Sequence, residues 1–271
     1  MSNTPRQQWP MPEYLQAWKL FREKSDENEA TAKFLISCPS WPHKSNLEIC
    51  DLGCGDGRLL AELLAFYGNV QKVRLVDPDN DLLNEAESLI EGRFAGKHII
   101  ALLKSVREDW PKCAGDADVI LGVHLVYLLE EDELQSLVKN RPRKATTYIV
   151  FDSPNSVFTE LWQWTADKYF RRAKRAHEVI QEHLGLKKIP QANLIRSKIP
   201  KSLFCGHKLA NWLLSILCYR NMLDEVPDEL RSKVREILDR HTDSTGQFVE
   251  CESVCYEFPP SGFSAAATKP K

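Results

Sequence analysis

The sequence predicts an α/β fold in which a doubly wound, largely parallel sheet carries helices on both faces. Three observations lead there. Between Leu47 and Ser153, short runs rich in Ile, Val and Leu alternate with amphipathic stretches, the signature of strands buried on both sides and linked by helical crossovers. In "ICDLGCGDGRLL" (Ile49 to Leu60), Gly53, Gly55 and Gly57 follow the first of these runs directly. Acidic residues, Asp51 and Asp77, close the first two runs.

The elements follow in order. In "YLQAWKLFREKSDENEATAKFLIS", Leu15, Trp18 and Phe21 fall on one helical stripe, and Ser25-Asp26-Glu27 signals the cap of a second helix ending near Phe34. "LEICDLG" is the first strand, "GRLLAELLAFYG" a helix ending at Gly68, "KVRLVDP" the second strand and "DLLNEAESLIEGRF" the next helix. His98 to Lys104 and Asp116 to His124 are the third and fourth strands, "EDELQSLVKNR" a helix, and Thr146 to Ser153 the fifth strand.

After Ser153 the rhythm changes. "SVFTELWQWTADKYFRRAKRAHEVIQEHLG" reads as one long helix, on which Trp162 and Trp164 fall on different faces. "NLIRSKI" reads as a strand, "HKLANWLLSILCYRNM" and "PDELRSKVREILDRHT" as helices, and Gln247 to Phe258 as a last strand. Four segments result: N-terminal helices over 1–44, a core over 45–153, a helical insertion with the last strands over 154–258, and a disordered tail over 259–271. The extra helices have no place in a bare doubly wound sheet and are expected to form a cap over its ligand edge.

Composition narrows the classes. The 271 residues are 43% apolar with a formal charge of −2, which argues against a globally basic nucleic-acid binder. No apolar run approaches the roughly 20 residues of a membrane span, and "MSNTPRQQWPMPEY" lacks an apolar signal core, so a cytoplasmic protein is expected. The eight cysteines show no Cys-x-x-Cys pair and no zinc spacing, so no metal is expected; Cys251 and Cys255 read as small apolar packing groups. One basic cluster stands out, Lys168, Arg171, Arg172, Lys174 and Arg175, interleaved with Tyr169 and Phe170. A solvated helix face is its plain reading, and a nucleic-acid or protein partner the alternative.

The glycine turn sits where doubly wound folds take their ligands, at the carboxyl ends of the strands. Its spacing is G-x-G-x-G, with Asp51 ahead and Asp56 inside, not the G-x-G-x-x-G of dinucleotide sites. Two carboxylates would repel a pyrophosphate but suit the cationic amino group of S-adenosylmethionine. Asp77, twenty residues past Gly57, stands where an acidic residue accepts hydrogen bonds from ribose hydroxyls. A dinucleotide, or a turn with no ligand, are the competing readings.

From Leu47 to Ser153 the chain resembles the class I S-adenosylmethionine-dependent methyltransferases. The resemblance implies a seven-stranded Rossmann-like sheet with a reversed last hairpin and no metal. It implies the methionine end of the cofactor near Asp51 and Gly53 along the Gly55 and Gly57 turn, the ribose on Asp77 beside Pro78, and the adenine near Ser105 and Val106. Val123 and His124, closing the fourth strand, would face the methionine moiety and the methyl acceptor.

A narrower resemblance rests on Tyr14-x-x-x-Trp18-x-x-Phe21, on Ser25-Asp26-Glu27, on "GVHLVYLL" and on "TELWQW". These are similar in order and spacing to histamine N-methyltransferase and its relatives. Carried over, Glu27 anchors the substrate amine, Tyr14 and Trp18 give it aromatic faces, and His124 stands where that family has a glutamine. The family's pocket asparagine falls near Val249 to Glu252, where Glu250 or Glu252 supplies polarity. The implied protein is a monomer that methylates a nitrogen of a small cationic or heteroaromatic molecule, with Glu27 and His124 as its catalytic pair. The runner-up is transfer to oxygen or carbon of another small molecule, or to nucleic acid or protein through helix 168–175. On the plain reading Glu27 is a capping residue, Tyr14 and Trp18 are core aromatics, and His124 is a structural histidine.

Overall fold

A computed structural model describes residues 19–104, 106–165, 167–204 and 228–262. Tyr14, Trp18, Ser105, Cys205, Cys218, the helix expected over "HKLANWLLSILCYRNM" and most of the expected tail lie outside them. Seven strands form one sheet in the order β3-β2-β1-β4-β5-β7-β6. They are β1 (Leu47–Leu52), β2 (Val70–Asp77), β3 (His98–Leu103), β4 (Val119–Val123), β5 (Thr146–Asp152), β6 (Leu194–Pro200) and β7 (Phe248–Phe258). The first five pair in parallel and β7 runs antiparallel to β5, with Thr147 opposite Phe258 and Asp152 opposite Ser253. The expected seven strands, with a last strand reversed against β5, are therefore present.

The chain divides into two compact units. The larger comprises 28–153, 171–195 and 253–271. Its central strands are apolar because no face is left for water: every residue of β5 is buried, as is β4 up to Val123. Edge strand β3 is partly exposed along its length. Helix α1 (Glu27–Ser37) begins one residue ahead of this unit, and its Ala32 and Leu35 lie in the core. Helix α2 (Arg58–Phe66) buries Leu59, Leu60, Leu63 and Leu64 on one stripe. Helix α3 (Asn80–Arg93) starts on Asp79, whose carboxylate accepts from the Asp81 and Leu82 amides, and buries Leu83, Ala86 and Ile90.

Several boundaries differ from the sequence reading. A helix the reading lacked, α4 (Val106–Ala114), joins β3 to β4. Its Pro111 is a helix breaker by propensity, and a short helix of this kind forms by docking and not by local preference. The fourth strand begins at Val119, not Asp116, because the Asp118 carboxylate turns back to accept from the Glu48 amide. Helix α1 runs past Phe34 to Ser37, and α5 (Glu131–Lys139) follows β4 as expected. The long helix after Ser153 is described as α6 (Val157–Thr165) and α7 (Asp167–Leu184).

The smaller unit comprises 1–27, 154–170 and 196–252. Phe21 packs edge-on against Phe158 with ring centres 5.8 Å apart. Glu160 of α6 binds Arg240 and His241, at the end of α8 (Asp228–Arg240). Trp162 is buried while Trp164 is 60% exposed under the Lys233 ammonium, the two-faced placement that their spacing predicts. The chain of β7 enters in this unit and finishes in the larger one.

Candidate active site

Three strand ends of the larger unit build the site. Beyond β1, Gly53, Gly55 and Gly57 take φ of +72°, +56° and +76°. The Gly53 and Cys54 amides both donate to the Val76 carbonyl, at 2.7 and 3.1 Å, which folds the turn over the end of β2. At Gly57 a Cβ would lie 2.8 Å from the Cβ of Ala86, so this glycine is required by the packing of α3 as well as by its backbone.

Asp77 is 6% exposed and held by both oxygens: the Gly55 amide donates to Oδ2 and the Asp79 amide to Oδ1, each at 2.9 Å. The two amides, one on each oxygen, fix the plane of the carboxylate. Asp51, 2% exposed, closes β1. Burial first, and then the neighbouring Asp51 and Asp77 carboxylates, push the Cys54 thiol far above its ordinary range. Cys54 is thus a packing group and no thiolate nucleophile.

Asp56 requires a correction. Its carboxylate binds the Arg58 guanidinium at 3.1 Å and accepts from the Arg58 amide, so its charge is answered within the chain. Asp51 and Asp77 are the carboxylates of the turn whose charges act on Cys54. Pro78 follows Asp77 directly; Leu103, opposite Asp77 in the β2–β3 register, is a half-exposed apolar side chain. Val106 is the first residue of α4.

His124 closes β4 in a left-handed conformation, φ +54°, with its amide donating to Val150 O at 2.8 Å. A non-glycine residue held there costs of order 1–3 kcal/mol and persists where its surroundings over-determine it. Its ring is 28% exposed. Nδ1 lies 3.3 Å from Tyr127 Oη, and Tyr127 Oη lies 2.5 Å from Asp152 Oδ2 and accepts from the Asp152 amide at 2.7 Å. Tyr127 stands in a short 3-10 turn, Val126–Leu128, whose Tyr127 carbonyl accepts from Arg172 at 3.0 Å.

Behind Asp152 lies a second histidine that the sequence reading did not single out. His177 Nε2 donates to the Asp152 carbonyl at 3.0 Å, and Tyr256 Oη donates to His177 Nδ1 at 2.8 Å. Burial lowers the His177 pKa to about 4. The ring is therefore neutral at pH 7, while the unfolded chain takes up its proton near pH 6.5. Stability is full above that value and falls as pH drops from about 6.5 towards 4, by about 3 kcal/mol in total. Urea unfolding at pH 7.5, 6 and 5 should show this loss, and His177→Gln should flatten it; an equal loss in both proteins would assign it elsewhere.

The remaining candidates separate. Glu27, half-buried, is the first residue of α1 and belongs to the smaller unit. Its amide donates to Ser25 Oγ at 3.1 Å, so Ser25 provides capping, while Glu27 is not at the third helical position that a reciprocal capping box requires. Asp26 pairs through its amide and carboxylate with the backbone of Lys198 in β6. Glu250 and Glu252 lie near Lys198 and Arg196, at 3.9 and 3.8 Å. In the basic cluster, Arg172 binds Glu130, and Arg175 binds Glu131 and Glu178, so both of these cations are engaged within the chain. The six described cysteines are free and buried, Cys251 and Cys255 among them.

Residues 49–143 match the family model described as a methyltransferase domain. A candidate methyltransferase of Bacillus halodurans shares the fold at a TM-score of 0.50, with 13% identity over 84% of this chain and 96% of its own. YcgJ of Bacillus subtilis gives 0.49, at 12% identity over 87% and 99%. The plantazolicin methyltransferase BamL, solved with S-adenosylhomocysteine, gives 0.48, at 13% over 90% and 91%. No curated protein matches the chain significantly. The segment is a methyltransferase domain, and the enzyme class it defines is that of the S-adenosylmethionine-dependent methyltransferases. Among the described residues, no helix is long and apolar enough to cross a membrane, and no group of three or more His, Cys, Asp or Glu is placed to hold a metal ion.

Proposed function

We propose that the protein transfers a methyl group to a nitrogen of a small cationic or heteroaromatic molecule, in the manner of histamine N-methyltransferase, with Glu27 anchoring the acceptor and His124 receiving its proton. The observation that carries this reading is the gathering of Asp51, Asp77 and His124 at one sheet edge, two buried carboxylates beside a histidine closing β4. The donor set fits S-adenosylmethionine, which supplies an electrophilic methyl on a sulfonium.

Asp51 attracts the cationic methionine end, and the glycine turn lets it lie against backbone. Asp77, held rigid by the Gly55 and Asp79 amides, accepts from the ribose hydroxyls. Leu103 offers an apolar face to the adenine near Val106. Because the displacement is in line, the protein's task is placement and exclusion of water, worth on the order of 7–11 kcal/mol when orientation is complete. The acceptor nitrogen must present a lone pair: its N–H bond breaks as the N–CH3 bond forms, and the proton passes to the neutral His124 ring. Glu27 holds a second, cationic nitrogen of the same molecule, and Tyr14 and Trp18 supply aromatic faces. The enzyme works as a cytoplasmic monomer.

The test is calorimetric titration with S-adenosylmethionine, then a methyl-transfer assay over biogenic amines, imidazoles and amino acids. Turnover on a cationic amine or imidazole is expected, and Glu27→Gln should raise its KM roughly 10-fold or more, the value of a charge-assisted hydrogen bond of about 1.5–3 kcal/mol. Turnover confined to phenols or oligonucleotides would refute the proposal, and an unchanged Glu27→Gln would return Glu27 to a structural role.

A further inference from the structure

We propose that Tyr127 and Asp152 are positioning residues that hold His124 with its proton on Nδ1 and its lone pair on Nε2, the form that can receive a proton from the methyl acceptor. The catalytic meaning of this arrangement rests on the reading of His124 as proton acceptor. The arrangement itself follows from counting hydrogens.

A tyrosine hydroxyl has one proton and two lone pairs. One lone pair of Tyr127 Oη is taken by the Asp152 amide, which as an N–H can only donate. The proton is taken by Asp152 Oδ2, 2.5 Å away, a short charge-assisted bond in which the carboxylate accepts. Aiming that proton at His124 instead would leave two oxygens 2.5 Å apart with no hydrogen between them. What remains for the contact at 3.3 Å is the second lone pair of Oη, so His124 Nδ1 must be the donor. In a neutral imidazole one nitrogen carries the proton and the other the lone pair, which places the lone pair on Nε2.

The parts are braced from several sides. Arg172 holds the Tyr127 carbonyl, and through Glu130 it ties α7 to the start of α5. His177 holds the Asp152 carbonyl from behind and lies tilted against Phe151 with ring centres 4.3 Å apart. Asp152 Oδ2 also lies 3.8 Å from His124 Nδ1, close enough for its charge to favour the imidazolium that forms when Nε2 takes up a proton. A buried carboxylate that fixes an imidazole tautomer and stabilises its cation does the same in hydrolase triads. Here the tyrosine hydroxyl is interposed.

The tautomer is read directly from the 15N shifts of the histidine rings in labelled full-length protein at pH 8, with the His124 signals assigned by their loss in His124→Gln. The expected result is a protonated Nδ1 and an unprotonated Nε2 in the native protein. Tyr127→Phe removes the acceptor, and the ring should revert to the Nε2–H form that dominates in free histidine. Asp152→Asn, which keeps the shape but not the charge, frees the tyrosine proton to turn towards His124 and should shift the tautomer the same way. On any acceptor that turns over, both variants should lower kcat roughly 100-fold, the low end of general acid–base contributions, with the KM for S-adenosylmethionine unchanged. A native ring protonated on Nε2, or a tautomer unmoved in both variants, would overturn the proposal. The spectrum needs neither donor nor acceptor, so a chain that locks the tautomer but methylates nothing would refute the proposed function alone.

Discussion

Asp77→Ala is expected to weaken S-adenosylmethionine binding roughly 10- to 100-fold, measured by calorimetric titration of the ligand-free protein. The loss corresponds to about 1.5–3 kcal/mol for hydrogen bonds to a buried charged acceptor. The effect is concentrated because the carboxylate is oriented in advance: the Gly55 and Asp79 amides hold both oxygens, so little rotamer entropy is lost when a diol arrives. The same amides lose their acceptor in the variant, and the turn will relax to some extent. A melting curve without ligand separates the two effects, since a disturbed turn lowers Tm whereas a lost ribose contact lowers affinity only. Unchanged affinity would remove Asp77 from the cofactor site.

Gly57→Ala should destabilise the domain by about 3 kcal/mol, combining the left-handed backbone penalty with overpacking. At φ +76° the new methyl would sit 2.8 Å from Ala86 Cβ and 2.9 Å from its Cα, the latter a backbone atom of α3 that cannot turn aside. For a chain of this size the expected fall in Tm is roughly 6–12 °C, and it should appear in the ligand-free protein. A normal melting curve with impaired S-adenosylmethionine binding would instead mean that the position serves the ligand alone.

The strands, and the carboxylates that stand at the ends of two of them, were legible because their signals are local. A parallel strand buried on both faces must be apolar throughout, so a carboxylate at its end, as at Asp51 and Asp77, stands out against the run. The reversed position of β7 came from the family resemblance and not from periodicity. Helix α4 was missed because Pro111 and the charged residues before it oppose a helical reading that only packing rewards. The partners of His124 were missed for a different reason. Tyr127, Asp152, His177 and Tyr256 come from a turn, two strands and a helix, and each alone looks like ordinary element-end or core chemistry. A usable signal was present in "IVFDS", another carboxylate closing a buried strand. The ion pair of Asp56 with Arg58, two residues on, depends on the geometry of the turn and not on the residue types alone.

The antiparallel pairing of β5 with β7 also bears on how the protein is made. Asp152 leaves the ribosome long before Ser253, its partner across the ladder. Throughout that interval the nascent sheet presents β5, with its Tyr148-Ile149-Val150-Phe151 run, as an unpaired edge, the kind of surface that recruits neighbouring chains on a polysome. Yield in cells should therefore depend on translation speed between codons 153 and 252 and on chaperone supply during that window, even for variants whose finished form is as stable as the parent.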